Sequence, residues 1–336
     1  MKKILLSRTD NLGDVVLTLP MAGVIKQYLP EAKVYFLGKY YTADIIKSSQ
    51  HVDHFLNWSK LKDYNDWNLI QFFKEIKLDY FIHVLPHLRL AKIARKAHIP
   101  HRIGTYHRIY NLLTCNRKIL LSRKKSILHE SQLNLKLLEP LKIQSSFAID
   151  RISDYYGLTK LKKHPNLVDK YLSKDKFNLI LHPKSFGSAI EWPQDHFAQL
   201  IKILPSDNYN IIISGTRSEG ELVDSKILSP FKTKIIDTTG KLTLEEFIYM
   251  IFMADGLIAA STGPLHIASA LELNTLGLYS SAKSICPRRW MPIGKRASYL
   301  VTEYDEECLR SISPKQVMNH ILSWQKLNRY SEMPQK

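Results

Sequence analysis

HPKSFGSAIEWPQDHF, from His182 to Phe197, and STGPLHIASA, from Ser261 to Ala270, are two small-residue loops that each open onto a helix. Each follows a short apolar run, Phe177 to Leu181 in the first case and Gly256 to Ala260 in the second, so both leave the end of a buried strand. Pro193 suits a first helical turn, where its missing N–H costs nothing, and Asp195 puts negative charge near the positive helix end. In the second loop, Thr262 and Gly263 precede Pro264 and the helix-competent run Leu265 to Leu271. A helix N-terminus offers unpaired N–H groups and a positive dipole end, and glycine lets backbone approach an anion closely. In an open α/β sheet, loops at strand carboxyl ends line the ligand crevice. Two in one half of the chain predict a diphosphate site. The plainer alternative is that both are ordinary strand-to-helix junctions, most of which touch no ligand.

A third junction of the same kind opens the chain. Ile4 to Ser7 reads as a strand, Arg8 to Gly13 as a polar turn, and Asp14 to Pro20 as the start of the next helix. Asp14 therefore occupies a strand-to-helix corner beside a glycine.

Outward from these loops, apolar runs alternate with helical stretches. Ile4 to Leu6, Lys33 to Leu37, Asp79 to Val84 and Ile103 onward are strands of the first half. Leu179 to Leu181, Asn210 to Ile213, Lys234 to Ile236, Leu257 to Ala259 and Thr275 to Tyr279 repeat the pattern in the second. Such alternation predicts an α/β fold with two doubly wound, Rossmann-like domains. We place the first at 1–155 and a lysine-rich linker, broken by Gly157 and Pro165, at 156–174. The second domain follows at 175–313 and a terminal helical segment at 314–336. With 336 residues, 45% of them hydrophobic, each domain can build its own core.

Charge narrows the partners. Lys plus Arg number 48 against 31 Asp plus Glu, a net +17, which implies an acidic partner or surface. Much of the excess lies at Arg89, Lys92, Arg95, Lys96, Arg102 and Arg108, then Arg117, Lys118 and Arg123 to Lys125; solvated surface lysines explain part of it. No zinc-finger, RNP or helix-turn-helix signature accompanies the charge, so no nucleic-acid partner is expected. Cys115, Cys286 and Cys308 show neither paired nor CxxC spacing, which leaves no disulfide framework and no metal site in view. No apolar run is of membrane-spanning length and MKKILLSRTD is too short for a signal peptide, so a cytoplasmic location is expected.

RTDNLGDVVLTLP near the start, HPKSFGSAIEWP, Ile213 to Glu219, Asp237 to Gly240, STGPLHIASA and Ile312 to Val317 together resemble the family 9 glycosyltransferases, the ADP-heptose:lipopolysaccharide heptosyltransferases and their relatives. The resemblance implies the GT-B arrangement, two Rossmann-like domains facing across a cleft with acceptor on the first and donor on the second. It also implies that the last helix returns to pack on the first domain. It further implies inverting, metal-independent transfer of a heptose or related sugar from a nucleotide sugar, ADP-heptose, to an acidic lipopolysaccharide-type glycolipid. No cofactor is implied, and the basic residues are free to meet glycolipid phosphates or the anionic inner face of the cytoplasmic membrane.

In such a transfer, a carboxylate takes the acceptor hydroxyl's proton as it attacks the anomeric carbon. The family pattern assigns this to Asp14, with Asp10 the competing base; read without the resemblance, either carboxylate simply caps the helix. A helix N-terminus lowers a carboxyl pKa, so burial has to push Asp14 back up. Arg8 and Arg89 are the accompanying acceptor-side residues. Donor contacts carry over to Ser185, Gly187 and Ser188 in the first loop, to Glu219 for ribose hydroxyls, and to Ser261, Thr262, Gly263, Pro264 and His266 in the second. His266 is equally compatible with a packed core residue. Trp192 matches a structural tryptophan.

Three positions depart from the family pattern. Ile190 stands where many relatives carry lysine, Ser261 where they carry aspartate, and Lys184 where glycine is common. The first two remove a cation and a carboxylate from the donor side, and Lys184 is placed to restore the cation. They bring a second reading into play, a catalytically degraded relative acting as a nucleotide- or glycan-binding protein. A nicotinamide-dependent oxidoreductase is the generic third, but no GxGxxG follows the first strand.

Overall fold

The computed structural model describes residues 1–123, 126–282, 287–303, 308–327 and 329; Lys124, Lys125 and Cys286 of the sequence analysis lie outside them. The chain divides into two compact units, Met1–Lys160 and Leu161–Lys336. Each is built on a six-stranded, all-parallel sheet.

In the first unit, β1 (Lys3–Ser7), β2 (Lys33–Gly38), β3 (His54–Asn57), β4 (Tyr80–His83), β5 (His101–Thr105) and β6 (Arg117–Ile119) are ordered β3-β2-β1-β4-β5-β6. In the second, β7 (Phe177–His182), β8 (Tyr209–Ile213), β9 (Ile235–Asp237), β10 (Gly256–Ala260), β11 (Asn274–Tyr279) and β12 (Ala297–Val301) follow as β12-β11-β10-β7-β8-β9. Counted from each unit's own first strand, both orders are 3-2-1-4-5-6, the doubly wound arrangement. The expected fold class is therefore present twice.

The central strands are buried on both faces, which is why they read as unbroken apolar runs. Ile4, Leu5 and Leu6 of β1 and Leu179, Ile180 and Leu181 of β7 have no solvent exposure. Leu5, Phe81, Phe73 and Ile93 belong to one core cluster of the first unit, and Leu181, Trp192, Phe197 and Ile213 to one of the second. Three strands absent from the sequence reading, β3, β6 and β12, all lie at sheet edges, where one flank is open and the residues are mostly half-buried or exposed.

The segment 156–174 does not behave as a free linker. Leu158 bridges to Ser49 and Lys160 donates to the Ser48 carbonyl in the first unit. The helix Pro165–Tyr171 packs Val168 on Tyr249 and Met253 of the second. The terminal helix Pro314–Ile321 buries Val317 and Ile321 in the second unit's core. Trp324 then stacks on Phe177 at 6.2 Å between centroids.

Asp255 ties that terminal segment to the foot of the second sheet. Its carboxylate accepts from the backbone N–H of Asn178 at 2.8 Å, from the Asn178 amide at 3.1 Å and from Leu327 N–H at 2.7 Å. Burial pushes its carboxyl above the ordinary range in spite of these bonds. Replacing a buried acceptor strands its donors, so Asp255→Ala is expected to cost about 3 kcal/mol, read as a lower midpoint for the second domain in chemical denaturation.

Candidate functional site

In the first unit the site grows from the end of β1. Arg8 follows the strand, donates its backbone N–H to the Leu37 carbonyl at 3.0 Å and is 4% exposed. Its guanidinium meets three carboxylates: Asp10 through Nε at 2.8 Å, Glu130 through Nη1 at 3.2 Å, and Asp14 through Nη2. Burial opposes the charge on Arg8, but Asp14, Asp10 and Glu130 outweigh it and hold the guanidinium protonated. Glu130, buried at the start of the helix Glu130–Lys136, also accepts from Arg123. Arg123 in turn donates to Asn134 Oδ1 at 2.9 Å and to the Val84 carbonyl at 3.2 Å.

Asp14 lies in the short helix Leu12–Val16, whose N-cap is Asn11. Neither Asp10 nor Asp14 therefore holds the capping position that the plainer reading gave them. Burial is the largest influence on Asp14 and raises its pKa; Arg8 lowers it, Asp10 and Glu130 raise it, and the balance lies at about 6. The depression expected at a helix end is overridden because the carboxylate is taken out of water next to two like charges.

Arg89 is drawn elsewhere. On the helix Leu88–Lys96 it pairs with Asp66 at 2.9 Å and donates to the carbonyls of Lys62 and Tyr64. Its fork thus clamps the connection between the helices Trp58–Leu61 and Asp66–Ile76.

In the second unit both loops leave neighbouring strands, β7 and β10, paired through His182 and Ala259. The first is organised by a residue the sequence reading passed over. Glu191 Oε1 accepts from Ser185 N–H at 2.7 Å and from Ser185 Oγ at 2.9 Å, and Oε2 pairs with Lys184. Between them the chain makes a tight turn with Phe186 at φ 49° and Gly187 at φ 75°, closed by Ser188 N–H to the Ser185 carbonyl at 3.0 Å. A Cβ at Gly187 would meet nothing within 4 Å, so glycine serves the left-handed backbone rather than close packing. Phe186 is left 64% exposed. Ile190 packs on the second unit's core, which explains an apolar residue there. Trp192 is structural, donating to the Ile312 carbonyl at 2.8 Å.

The second loop leads into the helix Gly263–Ala270, with Pro264 in its first turn and Thr262 as N-cap. Thr262 Oγ1 is buried without a hydrogen-bond partner and does not cap the helix, which leaves an unpaired hydroxyl at the positive helix end. His266 is buried one turn further on. Ser261 hydrogen-bonds Tyr279; burial nevertheless raises the Tyr279 phenol, whose hydroxyl donates to the Trp290 carbonyl at 2.5 Å. Glu219 is buried and its Oε2 accepts from Thr216 N–H at 2.7 Å in a capping box. Under these loops, His182 holds Ser214 at 3.0 Å. Burial lowers its pKa against the opposing influence of Glu219 and Glu191, which keeps the imidazole neutral.

Sequence reasoning missed Glu130, Glu191 and Tyr279, and read Arg123 only as one of a basic cluster. Glu191 carried a local signal, a carboxylate seven residues from Lys184 inside the same loop, and Glu130 lies the same distance from Arg123. Arg8 and Glu130, by contrast, meet across the fold.

The sequence profile of Glycosyltransferase family 9 (heptosyltransferase) matches residues 67–321. The chain belongs to glycosyltransferase family 9. This family 9 glycosyltransferase is 28% identical over 302 residues to a Haemophilus influenzae protein provisionally named a glycosyltransferase, covering 87% of this chain and 86% of that one. It is 24% identical over 299 residues to lipopolysaccharide heptosyltransferase 3 of Escherichia coli, covering 83% and 82%. The structure of E. coli ADP-heptose lps heptosyltransferase II superposes with a TM-score of 0.75 at 18% identity, covering 99% of this chain and all of the other. That likeness extends the shared GT-B fold to both domains.

The charge chain Asp14–Arg8–Glu130–Arg123 makes a direct prediction. Glu130→Gln removes one like charge from the neighbourhood of Asp14 and lets Arg8 attend more fully to it, so the Asp14 pKa falls below 6. Loss of a buried charge partner is expected to cost ~3 kcal/mol of stability. Carboxyl titration by NMR reads the first effect and denaturation the second.

Proposed function

We propose that this enzyme moves a heptose or a related sugar, with inversion and without a metal, from a nucleotide diphosphate sugar to a hydroxyl of a lipopolysaccharide-type core. ADP-heptose is the first candidate donor. The observation that carries the reading is Asp14, a carboxyl held by Arg8 and pushed up to about 6. A general base works best when its pKa lies near the working pH, and this one is both ionised at neutral pH and basic enough to accept a hydroxyl proton. Arg8 keeps the carboxylate oriented and, once the proton has moved, remains balanced by Asp10 and Glu130.

The leaving diphosphate is assigned to the two second-domain loops. Helix N–H groups at Gly263–Ala270, Thr262 Oγ1 and the Ser185–Ser188 turn provide donors for its oxygens. Lys184 supplies the positive charge, exchanging Glu191 for the diphosphate as the donor binds. Glu219 takes the ribose hydroxyls with the acceptor capacity its capping role leaves over, and Ser261 and His266 face the sugar. The name of the E. coli structural relative, an ADP-heptose enzyme, supports this donor. The lipopolysaccharide heptosyltransferase among the sequence relatives supports the acceptor. An acidic, membrane-borne acceptor also accounts for a net charge of +17, and such an acceptor would bring the enzyme to the inner leaflet from the cytoplasmic side.

Transfer from ADP-heptose should fall by roughly 10²–10⁴ in kcat for Asp14→Asn, with donor binding retained. For wild type, kcat/KM should drop as pH falls through about 6, because protonated Asp14 cannot act as base; an acid limb near 4 would sink the assignment. The raised pKa has the opposite sign for folding, since stability from protonated Asp14 is lost as pH rises through about 6. Absence of wild-type turnover with intact nucleotide-sugar binding would favour the binding-protein reading, and unchanged turnover in Asp14→Asn would remove Asp14 as the base. Lys184→Ala should weaken donor affinity roughly ten- to a hundredfold, a charge-assisted contact being worth ~1.5–3 kcal/mol; equal affinity in calorimetry removes Lys184 from the donor site.

A further inference from the structure

The helix Ile109–Thr114 is turned inside out. Its polar Asn111 and Thr114 are buried, while Ile109, Leu112 and Leu113 are 83%, 46% and 71% exposed. Asn111 is held inward by its amide, which donates to the Thr105 carbonyl at 3.0 Å, and Thr114 bonds the Tyr110 carbonyl at 2.7 Å. An ordinary surface helix does the reverse, facing its apolar stripe to the core. Leu120, just past the edge strand β6, is 81% exposed and Tyr106, before the helix, 45%. Among the described residues, no large aliphatic side chains other than Met1 are as exposed as Ile109, Leu113, Leu120 and Ile127, and all four lie within this part of the first unit.

The surroundings are uniformly basic. From Tyr80 to His129 the chain contains eleven Lys and Arg and no Asp or Glu. Arg108 and Arg117 are exposed beside the helix and the edge strand, Arg95 donates to the Leu113 carbonyl at 2.9 Å, and Lys118 lies over the Tyr106 ring at 5.9 Å. Exposed aliphatic groups framed by one sign of charge fit a surface that is both apolar and anionic.

We propose that this face, Ile109, Leu113 and Leu120 framed by Arg95, Arg108 and Arg117, docks the enzyme on an anionic phospholipid bilayer. The aliphatic side chains enter the acyl boundary and the cations stay at the headgroups. A second copy of the chain is a poor occupant, because a two-fold contact sets the two basic clusters against each other. Nucleic acid neutralises the cations but gives the aliphatic groups nothing to bury them. The proposal rests on the reading of the acceptor as a membrane-borne glycolipid and names the surface that meets its membrane.

Vesicle sedimentation of the full chain tests it, and because sedimentation needs no turnover it can fail or succeed apart from the transfer reaction. Wild type should sediment with phosphatidylcholine vesicles containing phosphatidylglycerol, less with phosphatidylcholine alone, and less in high salt. Ile109→Ser with Leu113→Ser should weaken binding at least tenfold, and Arg108→Gln with Arg117→Gln roughly fivefold per charge removed. Both pairs are exposed, so circular dichroism and thermal midpoints should match wild type. Absence of wild-type binding to anionic vesicles overturns the proposal. So does an unchanged affinity in the aliphatic variant, which would reduce the face to a diffuse charge effect, or tighter binding of an RNA oligomer than of vesicles.

Discussion

Where β1 lies beside β4, and β7 beside β10, successive connections leave toward opposite ends of the sheet, and the loops at those strand ends part to leave room for a ligand. The residues of chemical interest depend on this constraint. Arg8 and the helix carrying Asp14 follow β1; the Lys184–Glu191 loop follows β7 and the Thr262 loop follows β10. Had either order been sequential, neighbouring connections would have packed over these positions. The duplicated order gives the chain two such openings, and the sequence fills them differently, one with buried ion pairs and the other with small residues and a helix end.

The first opening shows how a fold makes a base. A carboxylate at a helix start next to an arginine should be a weak base of little use, yet burial and two neighbouring carboxylates leave Asp14 near 6. Arg8 is desolvated as well, and a lone buried cation would be too costly to keep. Glu130 and Arg123 extend the pairing into the domain so that each charge is answered by another. In the second opening the charges are internal to the loop. Glu191 satisfies Ser185 and Lys184 together, while Ile190 turns to the core. Ser261 meets Tyr279, so the position of the absent carboxylate is backed by a phenol.

Legibility followed burial. The central strands were readable because parallel strands covered on both faces are unbroken apolar runs, as in Leu179 to Leu181. The edge strands β3, β6 and β12 were not, since half-covered residues such as those of His54–Asn57 carry a weak pattern. The terminal helix shows the converse limit. Its capping box at Ser313 and Gln316 and its periodicity are local, so its existence was legible. Which core receives Val317 is a matter of long-range fit, which the helix's own pattern does not record.

By itself the sequence determined the fold class, the three strand-to-helix junctions and the family, because each rests on local patterns repeated in register along the chain. It also placed Asp14 at a strand-to-helix corner and Lys184 and Thr262 on loops. Tertiary structure alone decided their states. Arg8 and Glu130 are 122 residues apart in the chain, and the pKa of Asp14 depends on their meeting. The outward aliphatic face of Ile109–Thr114 depends likewise on Asn111 finding a carbonyl to bury against. Charge state and exposure are set by what surrounds a side chain in space, and neighbours in space are what a linear pattern does not record.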